Sequence, residues 1–307
     1  MHIESFIEQL LSPTSRQESA DLKHWHAEFK NCTLDVSDSI QRAILGGRHS
    51  LCVGFAFASG YQSAIEQLFG LRSGELASFC VSEAKGNHPK AIESALTKSD
   101  EQLTLSGHKT FVSGGCDAQR LFIACKDARS TNEKPYLKVI SLSSENSDIE
   151  INPMPELPFV PQVTHGQVKM ESVALNDSDI LPGDGYINYI KPFRTCEDIH
   201  VSAAVCGYLL AEAVEGKWPS ILIEQYLSLI LAFTAIAEMD LARSTTHLSL
   251  AGLRTQMEQI IDQSDQYFQN SSPFRYQDWQ RDRALLNIAQ KAHEKRTDKA
   301  WSTLITG

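Results

Sequence analysis

The cysteines and histidines are the residues that could hold a metal ion or form disulfides, and their spacing predicts neither. The seven cysteines are an odd number, and they include no Cys-x-x-Cys pair. The ten histidines include no His-Glu-x-x-His motif. His24 and His26 flank Trp25, but residues two apart on a helix point to different faces. We therefore expect no metal site and no disulfide framework, and we expect a reducing, cytoplasmic setting.

Residues 76–126 alternate short β-type runs with turn clusters that contain glycine. The runs show the period-two mixture of apolar and polar residues that is typical of a half-buried antiparallel sheet. Six positions carry this alternation: Leu103, Leu105, Lys109, Phe111, Leu121 and Ile123. The pattern predicts a small β domain in the middle of the chain.

The order of the pieces in this stretch resembles the middle domain of acyl-CoA dehydrogenase-like flavoproteins. The pieces are Ser82-Glu83 after a strand, a loop with glycine, the run Leu105-x-Gly-x-Lys-Thr-Phe111, then Ser113-Gly-Gly and an apolar strand. The resemblance extends, more weakly, over most of the chain. It implies that the protein binds FAD and dehydrogenates an acyl-CoA thioester between its α and β carbons. The cofactor would supply the redox chemistry, and the protein would supply orientation and electrostatics.

The resemblance assigns two short groups of residues to FAD binding. The hydroxyl groups of Ser82 and Ser113 would hydrogen-bond the edge of the isoalloxazine ring, and Phe111 would stack against it. The first group lies on the first strand and the second in the later turn: Phe79, Val81 and Ser82, then Phe111, Val112 and Ser113.

Three passages depart from the pattern of the resembling family. The loop at residues 82–88 reads Ser-Glu-Ala-Lys-Gly-Asn-His, where Thr-Glu-Pro-x-x-Gly-Ser-Asp is usual. Residues 217–220 read Lys-Trp-Pro-Ser in place of Arg-x-x-Phe-Gly. Residues 271–276 read Ser-Ser-Pro-Phe-Arg-Tyr in place of a Gly-Gly-x-Gly-Tyr motif. The sequence of the β region thus supports FAD binding, and the sequence of the C-terminal region opposes it.

The resemblance also points to a catalytic base. Most members carry a glutamate at the position of Gln290, and an amide cannot accept the proton. The isovaleryl-CoA and long-chain acyl-CoA members of the family place the glutamate instead on the first helix of the C-terminal helical bundle, about ten residues before a glycine. Counting back from Gly207 gives Glu197. An acidic residue in the first turns of a helix is also favoured by the helix dipole, whatever its role.

The residues leave three functions open. The first is an acyl-CoA dehydrogenase with Glu197 as base and an electron-transfer flavoprotein as acceptor. The second is a degenerate member without chemistry, acting as a partner subunit or binding module. The third is a flavin monooxygenase of the same fold, which needs no carboxylate base. Bound flavin, and its bleaching by an acyl-CoA, would separate them.

The hydrophobic period divides the chain into three regions that would position these residues. It changes from 3.6 to 2 and back to 3.6 along the 307 residues. We predict an α+β multidomain fold with a helical N-terminal domain at 1–75, an antiparallel β middle domain at 76–181 and a C-terminal four-helix bundle at 182–307.

Composition and charge limit the classes of partner that we expect for this protein. The formal net charge of -10 argues against nucleic acid, which requires clustered Lys and Arg. The N-terminal segment lacks the pattern of a secretory signal. The apolar run at residues 227–237 is shorter than the ~20 residues of a membrane span, so a buried helix is expected. Apolar residues cover more than one face of this second bundle helix, which predicts a homodimer.

Overall fold

The computed structural model describes residues 2–16, 18–71, 74–99, 102–130 and 136–305. The chain forms two compact units. The helical unit comprises Met1–Gln67, Leu157–Gln162 and Thr195–Gly307. The β unit comprises Leu68–Glu156 and Val163–Arg194.

Within the described residues, four α-helices precede the sheet, and side-chain caps begin two of them. Asp21 accepts a hydrogen bond from the backbone N–H of His24, and Asp38 accepts from those of Ile40 and Gln41. Such caps satisfy backbone donors that have no partner inside the helix. The four helices are α1 Ile3–Leu11, α2 Leu22–Cys32, α3 Ser39–His49 and α4 Val53–Phe69.

Five further α-helices follow the sheet in the part of the chain that the structure describes. A π-type turn at Gly185–Ile190 leads into the first of them, and Pro192 is its second residue, where the missing N–H is tolerated. The predicted fourth bundle helix is divided into two helices by a 3₁₀ segment at Arg283–Asn287. The helices are α5 Lys191–Glu215, α6 Ser220–Ala237, α7 Ser244–Ser271, α8 Pro273–Asp282 and α9 Gln290–Ile305.

Glycines allow α3 and α4 to approach the backbone of α5. A Cβ on Gly47 would lie 2.0 Å from the carbonyl oxygen of Ala204, and one on Gly60 would lie 2.5 Å from the Cα of Val201. From α5, a Cβ on Gly207 would lie 2.3 Å from the oxygen of Ile44. Side chains of α3, α5, α6 and α7 then fill the core of this unit. These three glycines therefore serve close helix packing.

Helix α6 is long and apolar enough to cross a membrane, by length and composition alone. Its mean hydropathy is 1.7 over Ser220–Ala237, and 39% of that window is buried. Core helices of globular proteins can be equally long and apolar. Seven of its side chains join the core of the helical unit: Leu222, Tyr226, Leu229, Ile230, Phe233, Ile236 and Ala237.

The β unit contains one sheet of seven strands within the described residues. Its order is β1-β4-β2-β3-β7-β6, and β5 pairs with β4. The strands are β1 Ala77–Cys80, β2 Ala95–Ser99, β3 Gln102–Ser113, β4 Arg120–Asp127, β5 Leu137–Ser143, β6 Ile149–Pro153 and β7 His165–Leu175.

The sheet is mixed, whereas the sequence predicted an antiparallel one. Strands β1 and β2 run parallel to β4, and the other four pairings are antiparallel. Parallel neighbours need a crossover connection in place of a hairpin turn. The β2–β3 hairpin lies between β1 and β4 in the chain and supplies that connection. Period-two alternation indicates strands but does not reveal their direction.

Candidate functional site

A β-bulge in β3 turns Phe111 out of the sheet. The register between β3 and β7 shifts between Lys109 and Val112, and Phe111 has φ of 53° in the left-handed region. Its side chain is 58% exposed, although Phe is an apolar residue. Its backbone N–H lies 3.2 Å from Met154 Sδ. A non-glycine residue in this backbone region is uncommon and is found preferentially at functional positions.

Residues of the two predicted flavin-binding groups meet at this bulge. The backbone N–H of Thr110 donates to the carbonyl oxygen of Ser82 over 2.9 Å, so the segment after β1 pairs with the bulge. Ser113 Oγ lies 3.3 Å from His165 Nε2 on β7. Ser82 and Ser113 are both half-buried. The structure thus joins the segment at Ser82 to the segment at Thr110 by a backbone hydrogen bond.

Phe79 faces a different environment from Phe111. Its ring is 7% exposed and makes edge-on contacts with Phe69 and Phe193, each at 5.0 Å between ring centres. Phe69 also stacks on Phe122 at 4.0 Å. Phe79 therefore belongs to a buried aromatic cluster of the β unit, whereas Phe111 is exposed to solvent. Val112, at 2% exposure, is also buried.

Two backbone N–H groups of the loop after Ser82 form hydrogen bonds within the loop. The N–H of Gly86 donates to the oxygen of Glu83 over 2.8 Å, and the N–H of Glu83 donates back over 3.1 Å. Lys85 Nζ pairs with Glu93 at 2.5 Å. Arg194 donates to the oxygen of Asn87 over 3.2 Å. The Gly86 amide is therefore engaged, although backbone amides of such loops often hold phosphates.

Glu197 and Asp198 are neighbours on α5 that face different surroundings. The carboxylate of Asp198 pairs with Arg296 and lies 3.0 Å from His293, both on α9. Burial alone would raise the pKa of Asp198, but the contact with His293 and the charge of Arg296 outweigh it and lower that pKa. Glu197 is half-buried. Successive helical residues point about 100° apart, which accounts for the difference.

The cluster of Asp198, His293 and Arg296 was missed by the sequence reasoning, because its members lie almost 100 positions apart. Gln290, the first residue of α9, is exposed, and its side-chain amide donates a hydrogen bond to Glu294 over 3.2 Å. Gln290, His293 and Arg296 line a pocket of about 260 Å³ beside α7. The amide of Gln290 thus stands in a polar environment without gaining the ability to remove a proton.

The residues at the bulge fit the ring system of a flavin. An exposed aromatic ring can stack on a planar heteroaromatic ring, and a hydroxyl group can hydrogen-bond its edge. Phe111 supplies such a ring, and Ser82 and Ser113 lie on the two segments that meet beside it. The engaged Gly86 amide fits the phosphate end less well.

Comparisons with known proteins identify the fold. No family model matches the sequence, and no curated protein matches it. Among solved structures, butyryl-CoA dehydrogenase from Megasphaera elsdenii is similar with a TM-score of 0.69 at 14% identity, over 97% of this chain and 95% of that one. A probable acyl-CoA dehydrogenase from Mycobacterium abscessus is similar with a TM-score of 0.67 at 11% identity, over 96% and 97%.

A third similar structure is a glutaryl-CoA dehydrogenase from Mycobacterium smegmatis, which was solved in complex with FADH2. Its TM-score is 0.64 at 11% identity, over 99% of this chain and 91% of that one. The chain has the fold of the acyl-CoA dehydrogenases. The fold that the sequence resemblance implied is confirmed.

Proposed function

We propose that the protein binds FAD on its β unit. The observation that carries the proposal is the exposed Phe111 ring on a backbone bulge whose Thr110 amide is bonded to Ser82. Ser82 and Ser113 would hydrogen-bond the ring edge, Phe111 would stack on it, and Val81 and Val112 would contribute backbone groups. Phe79 would support this surface from the aromatic cluster behind it.

We further propose that the reaction is the α,β-dehydrogenation of an acyl-CoA thioester. When bound, FAD supplies the acceptor for the hydride. Glu197 would take the α-proton of the substrate, a task that requires a carboxylate with raised proton affinity. Asp198 is the poorer candidate, because the lowered pKa of its carboxyl opposes proton uptake. An electron-transfer flavoprotein would then reoxidise the cofactor.

The test begins with the visible spectrum of the purified protein, before and after incubation with FAD. Acyl-CoA esters of several chain lengths are then added without oxygen, and bleaching of the flavin is followed. Glu197→Gln should abolish bleaching and leave FAD bound. Asp198→Asn should still bleach, and Glu224→Gln, an exposed change on α6, is the control for surface charge. Bleaching by Glu197→Gln at the wild-type rate would exclude Glu197 as the base.

The second candidate function is a non-catalytic one: the protein would keep this fold but act as a partner subunit or binding module. The amide of Gln290 and the engaged Gly86 amide favour it. A colourless protein that takes up no FAD would support it. Bound FAD that no acyl-CoA bleaches would exclude the dehydrogenase and leave this non-catalytic role or a flavin monooxygenase of the same fold.

We also propose that the protein is a homodimer. Helix α6 retains exposed apolar side chains after packing, with Ile221 at 56% and Leu231 at 37% exposure. Light scattering at micromolar concentration should give twice the chain mass of 34.1 kDa. A monomer under those conditions would contradict the proposal.

A further inference from the structure

Lys109 is a lysine without solvent exposure in the middle of β3. Its Nζ lies 2.6 Å from Glu83 Oε1 and 3.4 Å from the carbonyl oxygen of Val81. The exposed fractions of the two charged side chains are 0% and 6%. Lysine is rarely buried unless it is paired, because removing an ammonium group from water is unfavourable. The position of this pair therefore calls for a physical explanation.

Glu83 connects the pair to a third segment of the chain. Its carboxylate accepts hydrogen bonds from the backbone N–H of Glu93 over 2.6 Å and from that of Ser94 over 3.1 Å. Burial would raise the pKa of Glu83, but the charge and hydrogen bond of Lys109 and these backbone donors outweigh it and lower that pKa. The ionised carboxylate thus holds together the segment after β1, strand β3 and the segment before β2.

The Lys109–Glu83 ion pair joins the two segments that meet at the bulge. Val81 and Glu83, which both contact Lys109 Nζ, are the residues on either side of Ser82. Lys109 itself is two residues before Phe111. Between them, the N–H of Thr110 bonds to the oxygen of Ser82. A shift of Lys109 relative to Glu83 would therefore move the Ser82 hydroxyl relative to the Phe111 ring.

We propose that Lys109 and Glu83 are positioning residues for the flavin ring: their buried ion pair sets the distance between Ser82 and Phe111. The inference rests on the proposed FAD binding. It differs from a purely stabilising role in one respect. A buried ion pair can often be replaced by apolar residues of similar volume with little loss of stability. An apolar side chain at position 83, however, cannot accept the N–H groups of Glu93 and Ser94.

The first experiment measures flavin affinity. The variants are Lys109→Met, Glu83→Leu and the double variant, which leaves no unpaired buried charge and no side-chain acceptor at position 83 for the N–H groups of Glu93 and Ser94. FAD and FMN are titrated against each, with flavin fluorescence and the shape of the visible band as readouts. The double variant should fold and show an altered visible band. Its affinities for FAD and FMN should fall by the same factor, at least about tenfold, because both ligands contain the isoalloxazine ring. Weakening of FAD alone would overturn the inference.

The matched control is the Arg120–Glu75 ion pair of the same unit, with a distance of 3.0 Å and about a quarter of each side chain exposed. It lies at the opposite end of β1, where Arg120 pairs with Ala77. Arg120→Met with Glu75→Leu should leave both flavin affinities unchanged. A loss equal to that of the Lys109 and Glu83 double variant would show a general effect of stability and overturn the inference.

A second measurement needs no flavin. Hydrogen exchange at the amides of Thr110 and Ser94 reports whether the three segments stay in register. Exchange at both amides should be about tenfold faster in the double variant and unchanged in the control. If the wild-type protein binds no FAD, the proposed function fails while this measurement still stands. Unchanged exchange in the double variant would overturn the positioning role whatever the flavin result.

The reversed pair gives the last test. Lys109→Glu with Glu83→Lys restores opposite charges, but a lysine cannot accept the N–H groups of Glu93 and Ser94. It should therefore not restore flavin affinity or slow exchange. Full recovery would show that charge neutrality alone matters, and it would contradict the role assigned to Glu83.

Discussion

Arg16 Nη1 donates a hydrogen bond of 2.8 Å to Glu212 Oε1, which joins the segment before α2 to helix α5 across 196 positions of sequence. The side chains are 2% and 0% exposed. Arg275 on α8 contacts the same carboxylate at 2.9 Å, so Glu212 is shared by two guanidinium groups. This cluster ties three parts of the helical unit together.

Arg16→Met should lower the free energy of unfolding by about 3 kcal/mol, because it leaves the buried Glu212 carboxylate with one partner fewer. Urea denaturation followed by circular dichroism measures the loss. Arg243→Met, which removes an exposed pair with Asp240, should change the free energy by less than about 1 kcal/mol. Equal losses in the two variants would contradict the importance of the buried cluster.

Gly47→Ala should destabilise the helical unit by about 3 kcal/mol, because the new Cβ would overlap the backbone oxygen of Ala204. Gly252→Ala is the matched change on the exposed face of α7, where a Cβ would meet nothing within 4 Å. It should stabilise by about 1 kcal/mol through helix propensity. Thermal unfolding of both variants tests the prediction, and a neutral Gly47→Ala would disprove the close contact.

Stability should fall as the pH drops below about 6.5. Burial lowers the pKa of His200 from 6.5 to about 4, so between these values the unfolded state binds a proton that the folded state does not. The loss should reach on the order of 3 kcal/mol for this residue. His200→Gln should flatten the pH dependence of the unfolding free energy measured in urea. An unchanged slope would show that His200 does not titrate as inferred.

Phe111→Ala should weaken FAD binding about tenfold and leave protein stability almost unchanged, because the ring is exposed when the chain is alone. Fluorescence titration with FAD measures the first effect, and thermal unfolding measures the second. Phe274→Ala is the control, since Phe274 is 84% exposed and lies in the helical unit. Wild-type affinity in Phe111→Ala would remove the residue from the proposed site.

Much of the fold could be predicted from local signals. The period of apolar residues placed the sheet between two helical regions. The order of short motifs indicated the acyl-CoA dehydrogenase fold. Neither signal could reveal that β4 runs parallel to β1 and β2, because alternation along a strand is the same in either direction.

The sequence by itself therefore determined the order of the helical and β regions and the short list of residues that could meet a cofactor. The tertiary structure decided which way those residues face. It put Phe79 inside an aromatic cluster and Phe111 outside on a bulge, and it gave Asp198 the partners His293 and Arg296. The physical reason is that periodicity reports which face of an element is buried. The partners of a buried charge, and a bulge that puts Phe in the left-handed region, depend on contacts between distant segments.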